Sequence, residues 1–242
     1  MTLLSGGDNL GIDELLAIVP ARGGSKGIPR KNLRLLAGRP LLAYTIDAAL
    51  RASHVGRVIV STDDDEIAAI AVASGAEVPF RRPAALGTDD ATTFAVVRHA
   101  LETLMAQDGR VAPGIVVLQP TSPLRTAAHI DAAIDLWLRT RADSVVALRQ
   151  IEHPLEWAVS LGADARVAPL SPVEGTPARR QDAAIAYRPN GALYVSRTAG
   201  VLGRDALLGP DTRGYLMTAE DSIDIDGELD LLLAEAILSR RP

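Results

Sequence analysis

The chain of 242 residues is long enough for one large α/β domain or two small ones, and its 48% hydrophobic and 23% charged residues are ordinary for a soluble globular protein. The absence of cysteine excludes disulfides, thiolate metal sites and a cysteine nucleophile, and it fits a cytoplasmic protein. The formal net charge of -5 argues against a nucleic-acid partner, and no apolar run approaches the roughly 20 residues of a membrane span.

The domain organisation is predicted to be simple. The first residues have neither a basic n-region nor an apolar h-region, so we predict no secretory signal and expect residues 1–14 to be a disordered lead. No internal repeat or low-complexity linker divides the rest, so residues 15–242 are predicted to form a single domain.

Short β-rich runs alternate with helical patterns along most of the chain. The predicted strands are residues 15–20, 58–61, 76–80, 115–118, 144–148, 192–195 and 215–217. The predicted helices are residues 40–52, 66–74, 88–105, 126–139 and 228–239. This alternation predicts an α/β fold with a mainly parallel sheet covered by helices on both faces. Ligands bind such sheets beyond the carboxyl ends of the strands.

The alternation breaks between residues 151 and 186. Prolines and glycines there punctuate short apolar pieces, as at Pro154, Pro169, Gly175 and Pro177. We interpret this segment as an inserted arm or hairpin rather than another strand–helix unit.

A basic loop, residues 21–32, follows the first predicted strand. Its glycines Gly23, Gly24 and Gly27 allow backbone N–H groups to approach a ligand closely. The loop is neither a Walker A motif nor a dinucleotide-binding G-x-G-x-x-G motif. It favours a polyphosphate site, the alternative being a surface connector with solvated charges. Between Glu14 and Asp47 all charged residues are basic, namely Arg22, Lys26, Arg30, Lys31, Arg34 and Arg39.

Near the carboxyl end, residues 222–226 read Ser-Ile-Asp-Ile-Asp. If this segment is extended, Asp224 and Asp226 lie on one face and the two isoleucines lie on the other. Two carboxylates on one face can hold a hard cation such as Mg²⁺. Alternatively, Asp226 caps the last helix.

Two further polar stretches could contact a ligand. Arg180 and Arg188 are natural forks for a carboxylate or phosphate, and Asn190-Gly191 predicts a tight turn, but these could also be surface arginines beside an ordinary turn. Residues 119–125 follow a predicted strand and could bind a base or a sugar, or simply cap the next helix. The histidines share no spacing, and no Ser-His-Asp arrangement is present.

Four of these stretches together resemble the acylneuraminate cytidylyltransferases, also called CMP-sialic acid synthetases. They read ARGGSKGIPRKN at 21–32, LQPTSPLR at 118–125, RPNGALY at 188–194 and SIDID at 222–226. The resemblance implies a three-layer nucleotidyltransferase α/β fold and a homodimer, with the arm reaching toward the partner subunit. It also implies that CTP and a nine-carbon 2-keto sugar acid give a CMP-sugar and pyrophosphate, with Mg²⁺ as cofactor.

The resemblance assigns roles to individual residues. The catalytic set would be Arg22 and Lys31, which meet the triphosphate, and the metal-binding pair Asp224 and Asp226. The implied nucleotide contacts are Arg22, Gly23, Gly24, Ser25, Lys31, Asn32, Arg82 and Thr93. The implied sugar contacts are Gln119, Thr121, Arg180, Arg188 and Asn190.

The sugar itself is left open by the resemblance. Gly23-Gly24 stands where bacterial sialic acid enzymes often carry Gln-Asn, and the Gly-Gly version also occurs in relatives that activate legionaminic or pseudaminic acid. One alternative is a cytidylyltransferase for an eight-carbon 3-deoxy sugar acid, whose basic loop usually has a Ser-x-Arg-Leu-Pro pattern. Another is a non-catalytic nucleotide-binding regulator, against which the intact aspartate pair and Lys31 argue.

Overall fold

A mixed, mostly parallel six-stranded sheet forms the centre of the computed structural model, which describes residues 15–25, 27–170, 179 and 182–241. The described strands, numbered in chain order, are β1 Leu15–Pro20, β2 Leu35–Leu36, β3 Arg39–Pro40, β4 Val55–Ser61, β5 Gly114–Leu118, β6 Ser144–Gln150, β7 Val159–Leu161, β8 Val167–Pro169, β9 Tyr187–Arg197 and β10 Thr212–Leu216. The described helices are α1 Leu41–Leu50, α2 Asp65–Ala73, α3 Thr93–Asp108, α4 Ala127–Thr140, α5 Thr198–Gly203 and α6 Glu228–Leu238. The predicted α/β class is confirmed.

The helices cover both faces of the central sheet. Successive residues of β1 point to opposite faces, so Ala17 and Val19 pack in one apolar cluster with α1, α2 and α4, whereas Leu16 and Ile18 pack in another with α3 and α5. Strands β1 and β5 are buried almost completely, which explains why their sequences are nearly continuous apolar runs. This burial holds the carboxyl ends of the strands in fixed positions.

A third apolar cluster lies where α6 meets the basic loop. It contains Ile28 of that loop, Ile225 of the SIDID segment and Leu231 of α6, together with Leu36 and Leu124. Ile28 and Ile225 are at most 1% exposed. Ile28 holds the basic loop and Ile225 holds the aspartate pair, so both segments are attached to the same small apolar core.

The direction of β9 departs from a simple parallel sheet. The spatial order is β10-β6-β9-β5-β1-β4, and β9 runs antiparallel to both β5 and β6, whereas the other neighbouring strands are parallel. In this register Leu193 lies opposite Leu118, and Pro189 lies opposite Leu148. The beginning of β9 therefore lies at the edge where β5 and β6 end, and it reaches the ligand-binding edge from the opposite direction.

Two predicted elements near residue 80 are corrected. The strand predicted at 76–80 is wrong, because residue 77 makes only an isolated bridge to Ile59 and Pro79 has no N–H group with which to extend a ladder. The helix predicted from residue 88 begins at Thr93, since the Thr92 side chain accepts a hydrogen bond from the Ala95 N–H at 3.1 Å and caps the helix. Residues 88–92 are thus free to line a pocket.

An exposed hairpin interrupts the chain between β6 and β9. Strands β7 and β8 pair with each other and stand outside the central sheet. Apolar side chains on this hairpin face solvent, with Leu161 at 72% and Val167 at 63% exposure. The hairpin falls inside the predicted arm, whose residues 171–178, 180 and 181 lie outside the described residues, as does the predicted lead at 1–14. No helix in the described ranges combines the length and apolarity needed to cross a membrane.

Candidate active site

A polar pocket of about 310 Å³ opens beyond the carboxyl ends of β1 and β5. The basic loop, the stretch around residues 82–93, the segment after β5 and the SIDID segment all contribute to its walls. The predicted site residues that line it are Arg22, Gly24, Ser25, Lys31, Asn32, Arg82, Thr93, Gln119, Thr121, Asp224 and Asp226. Segments far apart in the sequence therefore converge at the edge of the sheet where ligands were expected.

A larger cleft of about 500 Å³ lies elsewhere, and its lining has fewer polar side chains that are available to a ligand. Its lining includes Leu16, Arg57, Asp108 and Arg110. Arg57 is already paired with Glu77 and with Asp108, at 2.7 and 2.8 Å. This cleft contains none of the predicted site residues, so the polar pocket is the better candidate for function.

The basic loop folds tightly against the SIDID segment. Asn32 is buried, and its side-chain amide donates to the carbonyl of Arg22 at 2.9 Å, which closes the loop on itself. Gly27 packs so closely that a Cβ there would lie 2.3 Å from the backbone oxygen of Asp226. Only glycine allows this approach, so the position of the loop depends on Gly27.

Lys31 connects the two sides of the pocket. Its ammonium group donates to the backbone oxygen of Ile225 at 2.6 Å and to Asp226 Oδ1 at 3.0 Å. The Lys31 side chain is only 15% exposed, whereas Asp226 is 80% exposed, so the contact with the Ile225 backbone is the more shielded of the two. Because an ammonium has three donors, one N–H remains for a ligand in the pocket.

Arg22 lies on the outer part of the pocket. Its guanidinium forms an ion pair with Asp89 at 2.5 Å, and both side chains are about one-third exposed. Thr93 lies opposite, in the first turn of α3, where the helix dipole favours negative charge. Arg22, Lys31 and this helix terminus together create a wall suited to an anion.

Asp224 is a carboxylate whose ionised form is disfavoured by its surroundings. Burial raises its pKa, and the neighbouring charge of Asp226 acts in the same direction, whereas a hydrogen bond from Thr121 and the charge of Lys31 lower it less. Its Oδ1 is buried and has no hydrogen-bond partner among the described residues. Such an oxygen is suited to accept a cation.

The residues present fit a divalent cation. Asp224 and Asp226 both line the pocket, and carboxylate oxygens are the ligands that Mg²⁺ prefers. Within the described ranges, no group of three or more acidic or histidine side chains gathers around one point. The protein would therefore supply few ligands itself, which is usual for Mg²⁺ sites that share the ion with substrate phosphates and water.

Glycine at position 191 lets two polar side chains approach the start of β9. A Cβ on Gly191 would lie 2.9 Å from Gln119 Oε1 and 3.8 Å from Asp224 Oδ2, and its φ of 79° is in the left-handed region. The Ile225 N–H also donates to the backbone oxygen of Thr121 at 2.8 Å. The segment after β5 and the SIDID segment are thus held together beside β9.

Two of the predicted sugar contacts, Asn190 and Arg188, are not brought into the pocket lining. Asn190 is buried, and its amide donates to Ser222 Oγ at 2.9 Å, so it supports the SIDID segment from behind. Arg188 is exposed and lies opposite Arg149 in the β6–β9 ladder. Arg180 lies outside the described residues. Gly23, predicted to contact the nucleotide, directs its N–H to Asp63 at 3.2 Å.

Arg125 holds the floor of the site and was not singled out from the sequence. It is 2% exposed and donates to the backbone oxygens of Gln119 and Ala192, at 3.2 and 2.6 Å, and to Thr45 Oγ1 at 2.7 Å. Burial lowers the pKa of its guanidinium. Arg125 thereby fastens the end of β5 to β9 and α1, so it positions Gln119.

No role was assigned to Asp63 or Asp89 from the sequence, although Asp63 was expected at the ligand-binding edge. Both are acidic residues in loops, and their partners are the pocket residues Arg82 and Arg22. The signal for Asp63 was present, because it follows a strand directly at the ligand-binding edge. Asp89 gave no such signal, since the helix was predicted to begin at residue 88.

The comparison with protein families identifies the chain's relatives. The family model described as "Cytidylyltransferase" matches residues 16–204, well over half of the sequence. The chain belongs to the cytidylyltransferase family. The predicted family resemblance is confirmed at this level, and the pocket is the corresponding candidate site of this cytidylyltransferase.

Individual relatives of this cytidylyltransferase act on different sugar acids according to their names. An N-acylneuraminate cytidylyltransferase of Escherichia coli is 34% identical over 94% of this chain, which spans only 53% of that relative's length. A CMP-N,N'-diacetyllegionaminic acid synthase of Legionella pneumophila is 33% identical over 93% of this chain and 96% of the relative. A pseudaminic acid cytidylyltransferase of Campylobacter jejuni is 32% identical over 92% of this chain and 95% of the relative.

Solved structures support the fold of this cytidylyltransferase. A CMP:2-keto-3-deoxy-manno-octonic acid synthetase complexed with CTP has a TM-score of 0.69 at 17% identity, covering 94% of this chain and 99% of that one. A 4-diphosphocytidyl-2C-methyl-D-erythritol synthase from Anaerococcus prevotii has a TM-score of 0.66 at 15% identity, covering 96% of this chain and 98% of that one. At these identities the likeness concerns the fold alone.

Proposed function

We propose that this cytidylyltransferase activates a nonulosonic acid, a nine-carbon 2-keto sugar acid, by transferring CMP from CTP and releasing pyrophosphate. The observation that carries the proposal is the placement of Lys31 between the basic loop and the aspartate pair, at 3.0 Å from Asp226. Relatives that this chain matches over nearly their whole length are named for such acids. We further propose Mg²⁺ as the cofactor, bound by Asp224 and Asp226.

The reaction is an attack by the anomeric hydroxyl of the sugar acid on the α-phosphorus of CTP. The new bond joins that oxygen to phosphorus, the bond from phosphorus to the bridging oxygen breaks, and the hydroxyl proton passes to solvent as pyrophosphate leaves. Negative charge grows on the leaving group during this step, so fixed cations lower the barrier. Arg22 and Lys31 supply those cations from the basic loop.

The remaining pocket residues orient the reactants. When bound, Mg²⁺ would neutralise phosphate oxygens and lower the pKa of the attacking hydroxyl. Gln119 and Thr121 lie on the side of the pocket next to Asp224 and can hydrogen-bond the hydroxyl groups of a sugar. A guanidinium has five N–H donors, so Arg22 can bind the triphosphate with donors that its ion pair with Asp89 does not use.

The activity is tested by pyrophosphate release from CTP with a panel of sugar acids. N-acetylneuraminic, legionaminic and pseudaminic acids are each offered, with an eight-carbon 3-deoxy sugar acid as the competing substrate and UTP as the control nucleotide. We expect release with CTP and at least one nine-carbon acid. Release with the eight-carbon acid alone would favour the alternative enzyme, and CTP binding without release from any acid would favour a regulator.

We propose that the exposed hairpin contributes to a homodimer. Leu161 and Val167 lie opposite each other in the β7–β8 pair and are mostly exposed, and adjacent exposed apolar side chains of this kind mark contact surfaces. Changing both to serine is expected to shift the protein from dimer to monomer in light scattering. Val72→Ser on α2 is the matched control, because Val72 is 61% exposed away from the hairpin. An unchanged mass for the hairpin variant contradicts the assignment.

A further inference from the structure

A carboxylate outside the pocket lining holds two parts of the pocket wall. Asp63 follows β4, and its Oδ1 accepts a hydrogen bond from Arg82 Nη2 at 2.8 Å and another from the Gly23 N–H at 3.2 Å. Gly23 belongs to the basic loop, whereas Arg82 belongs to the segment on the other side of the pocket. Asp63 Oδ1 thus connects the basic loop to the segment that contains Arg82.

The second oxygen of Asp63 touches a third segment. A Cβ on Gly87 would lie 2.6 Å from Asp63 Oδ2, so the backbone of Gly87 packs directly on the carboxylate. Gly87 precedes Thr88 and Asp89, which line the pocket. The Arg82 N–H also donates to the backbone oxygen of Thr62 at 2.9 Å, which fixes this segment to the end of β4.

Asp63 and Arg82 form an ion pair in which the arginine is almost completely buried. The side chain of Arg82 is 3% exposed, and Asp63 is its ion-pair partner. Burial raises the pKa of Asp63, but the hydrogen bonds from Arg82 and from backbone N–H groups, Gly23 included, outweigh it and hold the pKa below its usual value. Asp63 therefore stays ionised at neutral pH, and Arg82 is a buried cation that depends on it.

We propose that Asp63 is a positioning residue for the nucleotide: its carboxylate fixes Arg82 relative to the basic loop, so that its loss weakens CTP binding while sugar-acid binding is little affected. This rests on the proposed function, in which the pocket binds CTP. Gln119 and Thr121, on the sugar side, are held by separate contacts through Arg125 and Ile225. A disturbance at Asp63 thus reaches the nucleotide side first.

The test compares two aspartates that are two positions apart, Asp63 before α2 and Asp65 at its start. Asp63→Asn removes the charge that holds Arg82, and Asp65→Asn removes the charge of a neighbouring pair, Asp65 with Arg81, that is exposed to solvent. For Asp63→Asn we expect the KM for CTP to rise about 10-fold or more with the KM for the sugar acid within about 2-fold of wild type. For Asp65→Asn we expect both values within about 2-fold of wild type. Equal rises in both KM values, or no rise for CTP, would overturn the proposal.

A second variant covers the case in which Asp63→Asn fails to fold. Gly87→Ala leaves the carboxylate in place but presses a methyl group against it, and the φ of -89° at Gly87 accepts alanine. The same selective rise in the KM for CTP is expected. A double-mutant cycle with Arg82→Met adds a second criterion, since Asp63→Asn should cost clearly less when its partner is already missing, and full additivity would contradict the proposal.

CTP affinity without any sugar acid separates this inference from the proposed function. Equilibrium titration of wild type, Asp63→Asn and Asp65→Asn with CTP measures the positioning effect directly. If wild type binds CTP but turns over no sugar acid, the proposed function fails, whereas the expected loss of affinity in Asp63→Asn still supports the role of Asp63. If Asp63→Asn binds CTP as well as wild type does, the role of Asp63 fails alone.

Discussion

Asp224→Asn is expected to reduce Mg²⁺-dependent turnover by about 10²–10³-fold, which is typical for the loss of one electrostatic contact to a transition state. Asparagine keeps the size of the side chain but removes the charge that would hold the cation. Its amide oxygen can still accept the hydrogen bond from Thr121 that the carboxylate receives. Turnover is measured as pyrophosphate release at several Mg²⁺ concentrations.

The same substitution is expected to leave the melting temperature unchanged or to raise it when Mg²⁺ is omitted. Burial raises the pKa of Asp224, so the folded state binds its proton more tightly than the unfolded state. The ionised form therefore costs stability above the raised pKa, and this cost disappears as the pH falls through that value. The stability advantage of Asp224→Asn should accordingly shrink in acid.

Asp205→Asn is the control for both measurements, because Asp205 is 89% exposed and pairs with Arg98 far from the pocket. Its turnover and melting temperature should match wild type. Near-normal turnover in Asp224→Asn would contradict the metal assignment. A melting temperature several degrees below wild type without Mg²⁺ would show that the Asp224 charge stabilises the fold.

Gly27→Ala is expected to lower kcat/KM by about 10²-fold, because displacements of about 1 Å at a reacting centre have effects of that size. The added Cβ would lie 2.3 Å from the backbone oxygen of Asp226, which must move away. That movement separates Lys31 from Ile225 and Asp226, its two present hydrogen-bond partners. The chemistry of every side chain stays the same, so the experiment isolates the effect of distance.

The control for Gly27→Ala is Gly203→Ala. A Cβ on Gly203 meets nothing within 4 Å, and this residue ends α5 away from the pocket. Its kcat/KM should remain within about 2-fold of wild type. An active Gly27→Ala enzyme would mean that the close approach of the loop to Asp226 is not needed for turnover.

Most of the pocket could be predicted from the sequence, because its residues follow strands or occupy long motifs. The carboxyl-end rule for parallel sheets gathers the basic loop and residues 119–121 at one edge. The SIDID segment joined this set through its charge pattern and the family resemblance. Periodicity does not show that Lys31 contacts Asp226, since that contact crosses 195 positions of the chain.

Interactions of single side chains across the fold escaped prediction. The direction of β9 cannot be seen in its composition, although it decides which end of the strand meets the pocket. Asp63 and Arg125 are ordinary polar residues in the sequence, and their importance comes from burial beside partners 40 and 67 positions away. Pro79 and Thr92 are local signals against a strand at 76–80 and for a helix start at residue 93. The longer apolar patterns around them favoured the incorrect predictions instead.

The attachment of the SIDID segment has a consequence for local unfolding. Residues 222–226 belong to no helix or strand, and they are held beside the loop by Lys31, by the Ile225–Thr121 backbone hydrogen bond and by the burial of Ile225. The strands of the sheet share continuous ladders, whereas this segment can detach at a smaller free-energy cost. The Ile225 amide should therefore exchange its hydrogen sooner than the amides of β1 and β5. In mild denaturant, Asp224 and Asp226 would leave the pocket while the sheet remains folded.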